Sequence, residues 1–84
     1  MQGKQEQFKK MMGARIRALR IKKGYSSLDT FAFTKNIDRS QYGKYERGMS
    51  DMRLSSFIIV LSALEISVEE FFSEGFEKLE ESAL

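Results

Sequence analysis

The sequence predicts an all-α fold of five helices followed by a short amphipathic C-terminal extension. Three observations predict it. The 84 residues include no Pro and only six Gly, so little in the chain breaks a helix. Apolar residues recur at spacings of three and four, the period of a helix face, rather than two. Twice, at Asp38-Arg39-Ser40-Gln41 and Ser67-Val68-Glu69-Glu70, a capping residue is followed three positions on by Gln or Glu, the mark of a helix start. A chain of this length has room for one domain with one modest core.

The first helix runs from about Gln5 to Lys23, with Phe8, Met11, Met12, Ile16 and Leu19 on one face. Gly24 ends it, preceded by Lys22 and Lys23, which suit the negative end of the helix dipole. Ser26 or Ser27 caps a short second helix reaching about Lys35, with Leu28, Phe31 and Ala32 as its apolar side. Asn36-Ile37 makes a tight turn in which Asn accepts a left-handed backbone. The third helix follows from Asp38 to near Arg47, with Gly48 as its stop. Tyr42 and Tyr45 point inward, leaving Arg39, Ser40, Gly43, Lys44 and Arg47 on the other side. A fourth helix from about Leu54 to Leu64 is apolar almost all round, which predicts a central strut of the core. Ser67 opens a fifth helix containing Phe71 and Phe72, and Gly75 breaks it. Phe76, Leu79 and Ala83 form a weaker amphipathic tail. The expected division is a domain over 5–72 and an extension over 73–84.

Composition argues against most chemistry. With no Cys and no His, the chain lacks the usual thiolate nucleophile, the commonest general base and the commonest zinc ligands. No pair of carboxylates sits in an apolar setting that would tune its acidity. The expectation is a protein that is not an enzyme and uses no cofactor or metal. The longest apolar run, Phe57 to Leu61, falls far short of the ~20 residues that span a bilayer. Met1 to Gln5 has no apolar stretch resembling a secretory signal. A cytoplasmic location, with no membrane partner, is expected.

The net charge of +2 conceals a polarity. Residues 1–53 hold 13 of the 14 Lys and Arg against five acids, whereas residues 54–84 hold one Lys against seven acids. Concentrated positive field at one end of a small molecule favours a polyanion, because neutralised phosphates release counterions.

The two short helices between Ser26 and Gly48 supply the geometry for such a partner. Arg39, Ser40 and Lys44 project together from the first part of the third helix. A helix fits the ~12 Å major groove, where Arg and Lys donate to both acceptors of guanine. Gly43 costs about 1 kcal/mol of helix stability against Ala, and its missing side chain either lets the backbone approach DNA closely or is mere drift.

Three segments in order, Gly13-Ala14-Arg15-Ile16-Arg17-Ala18-Leu19-Arg20, Lys44-Tyr45-Glu46-Arg47-Gly48 and Leu64-Glu65-Ile66-Ser67-Val68-Glu69-Glu70-Phe71-Phe72, resemble the Cro/phage-repressor type of helix-turn-helix domain, the XRE family. The resemblance spans about residues 11–72 and implies a lambda-repressor-like five-helix domain in a bacterial regulator of transcription. It implies base reading by Arg39, Ser40 and Lys44. Phosphate contacts fall to Ser26 and Ser27 at the start of the second helix, and to Arg47 and Arg53 around the loop before the fourth. It also implies an ion pair between Arg20 and Glu46, and a homodimer on a palindromic site of double-stranded DNA. Phe72, Phe76 and Leu79 exceed what five helices bury and are candidate dimer contacts.

This sequence departs from the family at three places. The turn Gly24-Tyr25-Ser26-Ser27 is one residue longer than is usual in the family, so either Ser can meet phosphate. Lys35 occupies an ordinarily apolar position, with Phe33 expected to fill the space. Glu65 stands where Gly normally ends the fourth helix, which predicts strain or a shifted turn. The alternative function is an antitoxin that binds a protein toxin, through the segment from Ser73 to Leu84, and its own operator.

Overall fold

The structure, a computed structural model, describes residues 2–76. Five helices account for its regular structure: α1 (Gln2–Lys22), α2 (Leu28–Thr34), α3 (Arg39–Glu46), α4 (Leu54–Leu64) and α5 (Val68–Phe71). No strand occurs among the described residues. Leu79 and most of the C-terminal extension lie outside them.

Local chemistry sets most boundaries. The Ser27 hydroxyl accepts from the Thr30 amide at 3.1 Å and caps α2. The Asp38 carboxylate accepts from the Gln41 amide at 2.8 Å and caps α3. The Ser67 hydroxyl accepts from the Glu70 amide at 3.0 Å and caps α5. Each bond satisfies an amide that the first helical turn leaves without a partner. The capping box expected at Asp38 is only half formed, because the Gln41 side-chain amide turns away and donates to the Ser50 hydroxyl at 3.2 Å. Gln41 thereby ties α3 to the loop that follows it. Asn36 adopts a left-handed backbone, φ 58°, between α2 and α3.

The core gathers Ile16 and Leu19 of α1, Phe31 and Ala32 of α2, Tyr42 and Tyr45 of α3, Val60, Leu61 and Leu64 of α4, and Phe71 of α5. The closest helix contact is between α1 and α3. At Gly13 an added Cβ would lie 2.6 Å from the Tyr45 carbonyl oxygen and closer still to that of Glu46. Only the absence of a side chain lets the two backbones meet there. Behind this contact Phe71 packs edge-on against Phe57, with ring centroids 5.1 Å apart. Phe76 turns back onto the domain, 5.8 Å from Phe8 and 6.0 Å from Phe71.

Three expectations require correction. α4 is not a strut buried all round: Val60, Leu61 and Leu64 face the core, but Leu54, Ile58 and Ile59 are exposed. A five-helix domain presents α4 with neighbours on one side only, so a continuous apolar circumference cannot all be covered. Phe33 does not fill the space beside Lys35; it is 87% exposed. Lys35 instead folds its ammonium to 5.7 Å from the centre of the Tyr25 ring, where the aliphatic stem covers apolar surface and the charge meets the ring face. The fifth helix stops at Phe71, and Phe72 is its C-cap rather than a helical residue.

Glu65 ends α4 in the left-handed region, φ 55° and ψ 50°. The turn has not shifted; the residue takes the glycine conformation. Its side chain is exposed, so the strain has no evident return in contacts. Glu65→Gly is therefore expected to raise stability by about 1 kcal/mol. A urea titration checks it, and an unchanged or lower midpoint would contradict the strain reading.

Candidate nucleic-acid interface

α3 is eight residues long, and its circumference divides in two. Tyr42 is fully buried and Tyr45 nearly so. Arg39, Ser40, Lys44 and Arg47 are exposed. At 100° per residue the exposed group spans an arc of roughly 140°. That arc carries cations and a hydroxyl, and no acid lies on it.

Gly43 lies within the arc but is buried. An added Cβ there would meet the Arg47 guanidinium at 3.3 Å and Leu28 at 3.9 Å. The missing side chain makes room for Arg47 to lie back along α3, where its Nε donates to the Met49 sulfur at 3.4 Å.

Buried charge holds the rear of α3 in place. Arg20 and Glu46, 4% and 9% exposed, form a two-pronged pair, Nε to Oε2 at 2.7 Å and Nη2 to Oε1 at 3.1 Å. The third arm of the guanidinium, Nη1, donates to the Tyr25 carbonyl at 2.7 Å. One arginine thus links α1, the turn before α2 and the end of α3. The hydrogen bond to Glu46, outweighing burial, holds the Arg20 pKa above its ordinary value. Tyr42 lies beside the pair, its hydroxyl buried without a hydrogen bond among the described residues. Burial first, and the Glu46 carboxylate second, push that phenol well above its usual value.

The remaining site residues surround α3. Ser26 is exposed in the turn, whereas Ser27 is half-buried and accepts the Thr30 amide as the α2 cap, with its O–H still able to donate. Arg53 is exposed at the N-cap of α4 and makes no side-chain capping bond. Nearby, Lys9 of α1 pairs with Asp51 at 3.0 Å, and that hydrogen bond raises the lysine's pKa. Phe72 is 37% exposed, while Phe76 is half-buried against the aromatic cluster.

Two residues escaped the sequence reading. Arg15 is 9% exposed, and its Nε and Nη2 donate to the carbonyls of Phe71 and Glu70 at 2.7 and 2.9 Å. It closes the C-terminal end of α5, whose last carbonyls have no following turn. Asp29 pairs with Arg39 across α2 and α3, Nε to Oδ1 at 2.6 Å. Neither contact follows from a local pattern, since their partners lie 56 and ten residues away.

A helix-turn-helix family profile matches residues 16–71, two-thirds of the 84-residue chain. The match runs from the middle of α1 to the last residue of α5. Among solved structures, the chain is similar to the restriction-modification controller protein C.AhdI from Aeromonas hydrophila. The two share 38% sequence identity with a TM-score of 0.66, over 75% of this chain and 94% of that one. No curated protein matches the chain. Profile and structure coincide on the five-helix unit that carries the exposed arc of α3, and the chain belongs to the helix-turn-helix family of the XRE, Cro/phage-repressor type.

Proposed function

We propose that this protein is a transcriptional regulator, not an enzyme, that reads the major groove of a specific double-stranded DNA site with α3. The observation that carries this reading is the division of α3 into a buried tyrosine side and an exposed arc with Arg39, Ser40 and Lys44. Arg39 and Lys44 supply donors for guanine, and Ser40 serves either base or phosphate. Ser26, Ser27, Arg47 and Arg53 supply phosphate contacts around the arc, which fix register without carrying sequence. C.AhdI is a restriction-modification controller protein, which favours regulation as the activity. No helix among the described residues is long and apolar enough to cross a membrane.

The regulator acts as a homodimer. α4 supports this with an uncharged exposed face on which Leu54, Ile58 and Ile59 are each more than half exposed. A second copy related by a two-fold axis covers such a face with the same face, and two copies of α3 then meet half-sites about one helical turn apart. Phe72 remains available to the same contact, whereas Phe76 already packs at home.

Selection from random duplex DNA at stated salt is expected to return one site with two-fold symmetry. Arg39→Ala and Lys44→Ala are each expected to lose about 1–3 kcal/mol of discrimination at one base position. Arg53→Ala should weaken all sequences alike and lower the salt slope by about 1. Equal losses on selected and random DNA for Arg39→Ala would remove it from base reading.

A further inference from the structure

The geometry points to Asp29 as the residue that positions Arg39 for base recognition, an inference that rests on α3 reading DNA. Asp29 is the second residue of α2, and Arg39 opens α3 directly after its cap. Their side chains meet at 2.6 Å across the turn, Arg39 Nε donating to Asp29 Oδ1. Both remain about two-thirds exposed, at 67% and 62%. An ion pair this open to water contributes little to folding. Its effect is instead on the shape that Arg39 presents.

A guanidinium is a planar fork with five N–H donors. Binding Nε to a carboxylate fixes the plane and leaves the two terminal nitrogens pointing onward as a pair. Such a pair matches the O6 and N7 acceptors of guanine. A free arginine would have to surrender its rotamer freedom on binding, and Asp29 removes that cost beforehand. The carboxylate also places a negative charge beside the groove, where it disfavours loose contact with phosphate. Asp29 therefore strengthens the specific complex and weakens the non-specific one.

The experiment measures binding of the full chain to its selected site, to the same site with the Arg39-read base changed, and to random duplex, with melting as a folding control. Asp29→Ala should melt close to wild type. It should reduce the preference for the selected base roughly 10-fold and bind random duplex a few-fold more tightly. Asp29→Asn, which keeps an acceptor but not the charge, should retain more of the base preference while still tightening on random duplex. In an Arg39→Ala background, Asp29→Ala should leave base preference where it was.

An unchanged base preference for Asp29→Ala, with Arg39→Ala losing it, would overturn the positioning role and leave DNA reading by α3 intact. Tighter binding of Asp29→Ala to the selected site would also overturn it, since Asp29 would then be competing with DNA for Arg39. A wild-type chain that selects no duplex would overturn both.

Discussion

Glu46→Ala is expected to remove about 3–5 kcal/mol of folding stability, the cost of leaving a buried charge without its partner. Arg20 would keep its hydrogen bond to the Tyr25 carbonyl, but two of its three arms would face a space with no acceptor. A domain of this length is stable by roughly 4–12 kcal/mol in all, so a melting point lower by more than about 10 °C is expected. The pair is nonetheless weak evidence of stabilisation in itself, because both ions have been taken out of water. Replacing both partners, Arg20→Met with Glu46→Leu, should therefore recover most of the loss. Urea denaturation of Glu46→Ala and of the double variant separates these effects. A single Glu46→Ala variant within 1 kcal/mol of wild type would show that water reaches the pair.

Gly13→Ala is the second large effect, although on propensity alone it should help. In an open helix position Ala gains about 1 kcal/mol over Gly. At Gly13 the new methyl would press on the carbonyl oxygens of Tyr45 and Glu46, and backbone cannot swing aside as a flexible side chain does. The helices must part, at a net cost of roughly 2–3 kcal/mol. Gly3, in the same helix with nothing within 4 Å of an added Cβ, is the control and should be neutral or slightly stabilised as Ala. Thermal melts of the two variants compare crowding with propensity directly. Equal melts would mean that α1 and α3 do not meet as closely as described. Because the same contact sets the angle of α3, Gly13→Ala should also weaken DNA binding at temperatures where the protein remains folded.

The sequence was most legible where one residue and its near neighbours settle the matter. Ser67 caps α5 because a hydroxyl there reaches an amide three residues on, whatever surrounds it. Asn36 takes the left-handed turn for an equally local reason, and Gly48 ends α3 at φ 69°. Legibility failed where a residue had a choice of partners. Gln41 had two targets for its side chain and took Ser50 rather than closing the capping box. Phe33 and Lys35 are the clearest case. Hydrophobicity predicts the phenylalanine inside, but the direction of each Cβ on α2 leaves Phe33 facing water and Lys35 against Tyr25.

By itself, then, the sequence determined the number and order of the helices, most of their caps and turns, and the family, since these depend on spacing along the chain. It also marked Arg39, Ser40 and Lys44 for one side of α3, because helical geometry converts spacing into facing. Tertiary structure alone decided which half of α4 is covered, that Arg15 closes α5, and that Asp29 holds Arg39. Each of these joins groups on different helices that packing brings together. Their directions depend on how whole helices cross, and a crossing angle is a property of many residues at once.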